Sequence, residues 1–268
     1  MRNYMDSKFD ILKKVESHAT QVKNFIHDPG YQHIMTVLVG SQNYNLDSEN
    51  SDIDTYSFVA PKIEDLIYGK EPISKEYDVE DGKCVVKDIR LGLNLLRKPS
   101  PNSVECFVSE YKYYEPMYKD ILQFYLNETI QFMIYSNYKN MVDAIAGTAR
   151  GLHGRNMTEG KKFAHCLRLK EMYERYLDSH YKPYELLKLR TGDLVLAREA
   201  KFNTSEISNQ YYKEERIKIA LMLTEQANMF KPTVQNLLSE KLSQNYINNF
   251  QTDLFNRYLK ENGYEKKN

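Results

Sequence analysis

The chain has 268 residues, enough for one large or two modest domains with an ample core either way. Its 37 Lys and Arg balance its 37 Asp and Glu, so no global field draws it to nucleic acid or an anionic membrane, and any basic surface has to be local. No apolar run approaches the ~20 residues of a membrane span and the charged N-terminus is no signal peptide, so a cytoplasmic protein is expected.

Residues 6–27 read as an amphipathic helix, with Phe9, Leu12, Val15, Val22 and Ile26 near 3.6 spacing and Asp6 or Ser7 as the cap. Asp28-Pro29-Gly30 breaks it. A strand follows at 33–39 and ends in Gly40-Ser41; after a polar loop, Asp52-Ile53-Asp54 enters a second strand that runs to Ala60. On a strand, side chains at i and i+2 share a face, so Asp52 and Asp54 project together while Ile53 turns into the core. Two such carboxylates repel, and the pair persists mainly where a cation sits between them. All-oxygen ligation suits Mg²⁺ (or Mn²⁺), which takes one or two carboxylates plus substrate phosphate oxygens. Gly40 lets a backbone approach closely, and Ser41 with the neighbouring amides is placed to hold a phosphate. A phosphate cradle beside a carboxylate pair is the equipment of phosphoryl or nucleotidyl transfer.

The strand, the Gly40-Ser41 pair, about eleven residues and then Asp52-x-Asp54 opening a strand resemble the signature of the DNA polymerase β-like nucleotidyltransferase superfamily. The resemblance implies a metal-dependent enzyme that moves a nucleoside monophosphate from an NTP. Asp52 and Asp54 would bind the metal and act in catalysis, and Gly40 and Ser41 would hold the β- and γ-phosphates.

Pro61 stops the second strand, and 62–68 reads as a short helix closed by Gly69. Residues 76–88 read as a hairpin turning at Asp81-Gly82. If its second strand lies antiparallel to the Asp-x-Asp strand, Asp88 arrives beside Asp52 and Asp54. Superfamily members usually carry a third carboxylate on a neighbouring strand, and Asp88 is the candidate, as a catalytic and metal-binding residue. Asp88 also precedes a helix at 89–96 and suits its N-cap; Asp78 and Glu105 are the alternatives for the third carboxylate.

The segment 87–107, a Leu-rich helix followed by basic residues and Ser100-Pro101-Asn102-x-x-Glu105, resembles one branch of the superfamily, the RNA-ligase-associated predicted nucleotidyltransferases. Members of that branch tend to show Asn-Pro-Asn where this chain has Ser100-Pro101-Asn102. The turn can start a helix running through Glu105, which either contacts substrate or sits as an ordinary acidic residue in a first helical turn. From Met117 strand signals fade, and helical patterns cover 118–148, 158–180, 205–228 and 234–262. The pattern is that of an α+β fold: a small mixed β-sheet core over residues 1–115, joined to an all-helical domain over 116–268.

Lys161, His165 and Arg168 fall at i, i+4 and i+7, one basic stripe on one helix face, suited to an NTP triphosphate or an RNA backbone. In the same family branch a Lys-x-x-x-His-x-x-Arg-type helix is followed by a short helix and a Leu-x-x-Arg-x-Gly-type turn, matched here by the stretch from Leu186 to Asp193. The resemblance therefore implies nucleotide binding by Lys161, His165 and Arg168, and it spans roughly residues 35–200. Lys139, Arg150 and Arg155 extend the basic rim, with Arg90, Arg97 and Lys98 as the next cations available.

No Gly-x-Gly-x-x-Gly, Gly-Lys-Ser/Thr or Gly-x-Ser-x-Gly sequence occurs, which leaves dinucleotide, P-loop and serine-elbow chemistry without support. Cys84, Cys106 and Cys166 lack paired metal spacing, and His27 and His33 read as structural, so zinc is not expected. Two functions compete: a nucleotidyltransferase acting on an RNA end, a protein hydroxyl or a small molecule, and a nucleotide- or RNA-binding module without catalysis. Loss of the third carboxylate favours the second.

Overall fold

A computed structural model of the protein describes residues 4–26, 30–48, 51–178, 181–202 and 205–264. His27, Asp28 and Pro29 lie outside the described residues, as do the side chains of Asp6 and Ser7. The fold is α+β. Helix α1 (Tyr4–Phe25) leads into strand β1 (Gln32–Val39), then β2 (Asp54–Ala60), a short helix α2 (Ile63–Ile67), and the hairpin β3 (Ser74–Val79) and β4 (Gly82–Asp88). Helices α3 (Ile89–Arg97) and α4 (Pro101–Val108) follow, then β5 (Lys112–Tyr114). The five strands form one mixed sheet in the order β3-β4-β2-β1-β5.

Alternation along the strands separates two faces. Val15 of α1 packs with Leu38 and Ile53, and Val22 packs with Val59, Cys84 and Val86, so α1 covers one face. On the other face Val37 and Phe58 join Leu93 of α3 and Phe107 of α4, with the Phe58 and Phe107 rings stacked at 5.6 Å. That second core continues without interruption to Tyr258 near the C-terminus, across the expected boundary at residue 115. Helix α4 starts where Ser100-Pro101-Asn102 stands because Ser100 and Ser103 cap each other reciprocally, with Pro101 at the first helical position.

The pairing of β4 corrects the placement of Asp88. The chain leaves β2 at Ala60 and re-enters the sheet at Ser74 at the same end, because the five-residue helix between them is too short to cross the sheet. β3 therefore runs opposite to β2, and β4, turning back at Asp81-Gly82, slots between them parallel to β2. The register puts Val59 against Asp88 and Thr55 against Cys84. Asp88 thus lies five residues along the strand from the level of Asp54, roughly 16 Å at ~3.3 Å per residue. It is fully buried, caps α3 by accepting from the Arg90 N–H at 2.8 Å, and pairs with the Arg90 guanidinium at 2.7 Å. Its role is the N-cap.

The helical half differs from the expected pattern in two places. The stretch 118–148 is broken into α5 (Lys119–Gln123), a π-helical turn at Phe124–Glu128, α6 (Ile130–Met133) and α7 (Tyr138–Gly151). Thr129 hydroxyl bonds to the Phe124 and Tyr125 carbonyls sustain the wide turn, and Asn137 caps α7 by accepting from the Asn140 N–H at 2.8 Å. Helices α8 (Glu159–Leu177), α9 (Thr191–Phe202), α10 (Glu206–Met229) and α11 (Val234–Glu261) complete the chain; α9 has no counterpart in the sequence pattern. α8 is the hub, packed against α7, α9 and α10. No helix among the described residues is long and apolar enough to cross a membrane.

Contact between α8 and α9 is backbone-close. A Cβ at Gly160 would collide with the Ala200 carbonyl. Gly160→Ala is expected to push α9 outward and destabilise the protein by about 1–3 kcal/mol, the range for overpacking a tight interior. A urea denaturation midpoint unchanged from wild type would refute that contact.

Candidate active site

Val39 pairs with Asp54 across the antiparallel β1–β2 ladder, so the loop after β1 and the entry to β2 emerge side by side at one end of the sheet. Gly40 opens that loop at φ 96°, a left-handed backbone conformation, and a Cβ there would meet nothing within 4 Å. Conformation, and not space, selects glycine. A 3₁₀ turn, Ser41–Tyr44, follows.

This loop is fastened from beneath by a buried carboxylate. Glu105 Oε1 accepts from the Gly40 N–H at 2.5 Å and from Asn43 Nδ2 at 3.1 Å, while Asn43 also donates to the Leu38 carbonyl at 2.9 Å. The Gly40 amide therefore turns into the protein, which corrects its expected place in a phosphate cradle. Ser41, which lines the adjoining cleft, is left to face a ligand. Burial drives the Glu105 carboxyl above its ordinary range, with the Arg168 charge and the donors from Tyr44, Asn43 and Gly40 opposing the shift.

Asp52 and Asp54 are both exposed, with Ile53 buried between them. Gln42 Nε2 donates to the Asp52 carbonyl at 2.7 Å, and the Lys83 N–H donates to Asp54 Oδ1 at 3.2 Å. Among the described residues neither carboxylate is ion-paired with a cation, and no group of three His, Cys, Asp or Glu side chains is arranged to hold a metal. Where a third carboxylate on the adjacent strand would stand, level with Asp54, β4 carries Lys83, whose ammonium pairs with Glu76 at 2.5 Å. Asp78 sits one strand further out, opposite Lys83.

Across from the loop lies α8. A cleft of about 420 Å³ brings together Gly40, Ser41, Asp52, Asp54, Lys161 and His165, with Lys201 of α9 at its edge. Lys201 also donates to the Leu46 carbonyl, and Arg198 Nε donates to the Asn45 carbonyl at 2.8 Å, so α9 ties the loop down from above. Lys201 and Arg198 are absent from the sequence-based site because the helix that carries them is; the signal available is two cations at i and i+3 just after the Leu-x-x-Arg-x-Gly segment.

His165 is not a cation here. Its pKa is pushed down to about 3, first by burial and then by Arg168, Lys161, Lys201 and Arg155 around it. The stripe is thus two charges flanking a neutral imidazole. Arg168 lies behind His165, 5% exposed, with its guanidinium 4.0 Å over the Tyr44 ring. It lines a second cavity of about 210 Å³ that adjoins the cleft. Arg155 also lines this rear cavity, whereas Lys139 pairs with Asp143 and Arg150 donates to Thr224, away from both spaces. Arg190 of the Leu-x-x-Arg segment pairs with Glu174, and its N–H donates to Glu171, a link between α8 and the start of α9.

No protein-family model matches this chain, and no curated protein matches it. Among solved structures, 93% of the chain aligns with 92% of a nucleotidyltransferase-like protein from Exiguobacterium sibiricum, at 13% identity and a TM-score of 0.29.

Glu105→Gln tests the buried tie. A carboxyl whose folded pKa is raised contributes stability that is present below its unfolded pKa and lost as pH rises through the folded pKa. Wild type is expected to lose stability as pH climbs out of the ordinary carboxylate range, and Glu105→Gln to flatten that slope. Identical slopes in denaturation midpoints measured from about pH 4 to 8 would refute the assignment.

Proposed function

We propose that the chain is a metal-dependent nucleotidyltransferase that moves a nucleoside monophosphate from an NTP to an acceptor hydroxyl. The observation that carries this reading is the single cleft in which two exposed, unpaired carboxylates face a Gly-Ser turn and a cationic helix. Asp52 and Asp54 are the residues that would hold Mg²⁺ or Mn²⁺; their oxygen donors and uncompensated charge fit such an ion, with phosphate and water completing its shell. When bound, the ion neutralises phosphate charge and lowers the pKa of an acceptor hydroxyl.

The chain's own groups do the rest. The Ser41 hydroxyl grips phosphate, and Lys161 and Lys201 neutralise it from the opposite wall. His165, uncharged at neutral pH, offers a hydrogen bond in place of a charge. In transfer, the acceptor oxygen bonds to the α-phosphorus, the bond to the bridging oxygen breaks, pyrophosphate leaves with the electron pair, and the hydroxyl proton passes to solvent. By resemblance to the RNA-ligase-associated branch, RNA ends are the leading acceptor.

One observation favours a second reading, nucleotide binding without transfer: Lys83 stands where a third carboxylate would. Incubation with labelled NTPs, Mg²⁺ or Mn²⁺ and pooled tRNA separates the two. Label on RNA is expected; label on the protein would reassign the acceptor, and bound but uncleaved NTP would establish the second reading. Asp52→Asn or Asp54→Asn should abolish transfer yet shift stability by no more than about 0.5 kcal/mol, as for exposed surface positions. Either variant retaining transfer would refute the carboxylates' role.

A further inference from the structure

The rear cavity differs in character from the cleft it adjoins. Val39, Leu152 and Leu169 and the rings of Tyr44 and Tyr56 form its walls, and it meets the cleft at Gly40, Tyr44 and His165. At about 210 Å³ it lies below the ~300–1,000 Å³ of pockets that hold a whole drug-sized ligand, so it admits part of a ligand. Apolar walls with a few convergent polar groups suit a flat heterocycle, while the polar cleft with its carboxylates and lysines suits phosphates.

The polar group that stands out is Arg168. Its side chain is buried, yet among the described residues its Nε and Nη1 find no hydrogen-bond acceptor. Buried donors left unpaired are costly, so such groups are rarely retained without a use. The one nearby carboxylate does not serve them: Glu105 Oε1 is taken by Gly40 and Asn43, and Tyr44 hydrogen-bonds to the same group. Stacking on Tyr44 holds the guanidinium in place at the cavity wall. Arg155, at the same cavity, is likewise a donor without acceptor capacity.

Building on the nucleotide reading, we infer that the rear cavity takes the base of the NTP, and that Arg168 selects guanine and uracil, which carry a carbonyl oxygen at O6 or O4, over adenine and cytosine, which carry an amino group at that position. A guanidinium satisfies its donors against O6 and N7 of guanine, or a carbonyl of uracil. At those same ring positions adenine and cytosine carry amino groups, which would set donor against donor.

Calorimetric titration of the full chain with GTP, UTP, ATP, CTP and inorganic tripolyphosphate, each with Mg²⁺, tests this. GTP or UTP is expected to bind at least ten-fold more tightly than ATP, CTP and tripolyphosphate, and Arg168→Met to erase the difference while tripolyphosphate binding persists. Because Arg168 is buried and its removal could unfold the chain, Arg155→Gln at an exposed position gives a second variant, expected to narrow the difference. Equal affinity for all four NTPs, or tighter binding of ATP or CTP, would overturn the base pocket and leave the phosphate cleft standing. Failure of every probe, tripolyphosphate included, would overturn the nucleotide reading and the pocket with it.

Discussion

The arrangement depends first on the antiparallel register that sets Val39 opposite Asp54. It brings a glycine turn and a carboxylate pair to the same end of the sheet, far apart along the chain but one ladder rung apart in space. Everything else in the site is an elaboration of that rung. Glu105 anchors the turn from below through the Gly40 amide, Gln42 ties the turn to the backbone of Asp52, and α9 holds the far end of the loop through Arg198 and Lys201. A loop held from three sides is preorganised, and a preorganised loop binds without losing conformational entropy at that moment.

Charge is distributed in this site, and not merely present. The chain is neutral overall, yet the cleft has an acidic wall at Asp52 and Asp54 and a basic wall built from α8 and α9. At His165 burial first, and then four surrounding cations, push the proton off. A ligand that spans the two walls must be anionic toward α8 and able to recruit a cation toward the carboxylates. A nucleotide triphosphate with a divalent ion meets both demands.

Much of this is legible in the chain itself. Apolar, β-rich runs mark β1 and β2, the Gly40-Ser41 and Asp52-x-Asp54 spacing marks their shared end, and i, i+4, i+7 spacing marks the basic stripe on α8. The hairpin at Asp81-Gly82 is also legible, but its partner is not. Which way β4 pairs depends on the route taken between Ala60 and Ser74, a property of tertiary packing that no local pattern records, and the expectation for Asp88 fails for that reason. β5 is three residues long, too short for any periodicity, and it pairs only because β1 offers a free edge. The break in 118–148 turns on side chains of Thr129 and Asn137 bonding to backbone, an effect invisible to apolar spacing. Glu105 stands out by its motif, but only burial beneath the loop shows that it supports Gly40.

Anomalous scattering from crystals grown with Mn²⁺ and a non-hydrolysable NTP reads directly the proposed binding of a divalent ion and a triphosphate by Asp52 and Asp54 in the cleft beneath α8. A manganese peak is expected within bonding distance of both carboxylates, about 2.0–2.2 Å for a small hard cation on oxygen, with the phosphates lying between it and Lys161. Manganese bound elsewhere, or an NTP seated outside this cleft, would contradict that binding.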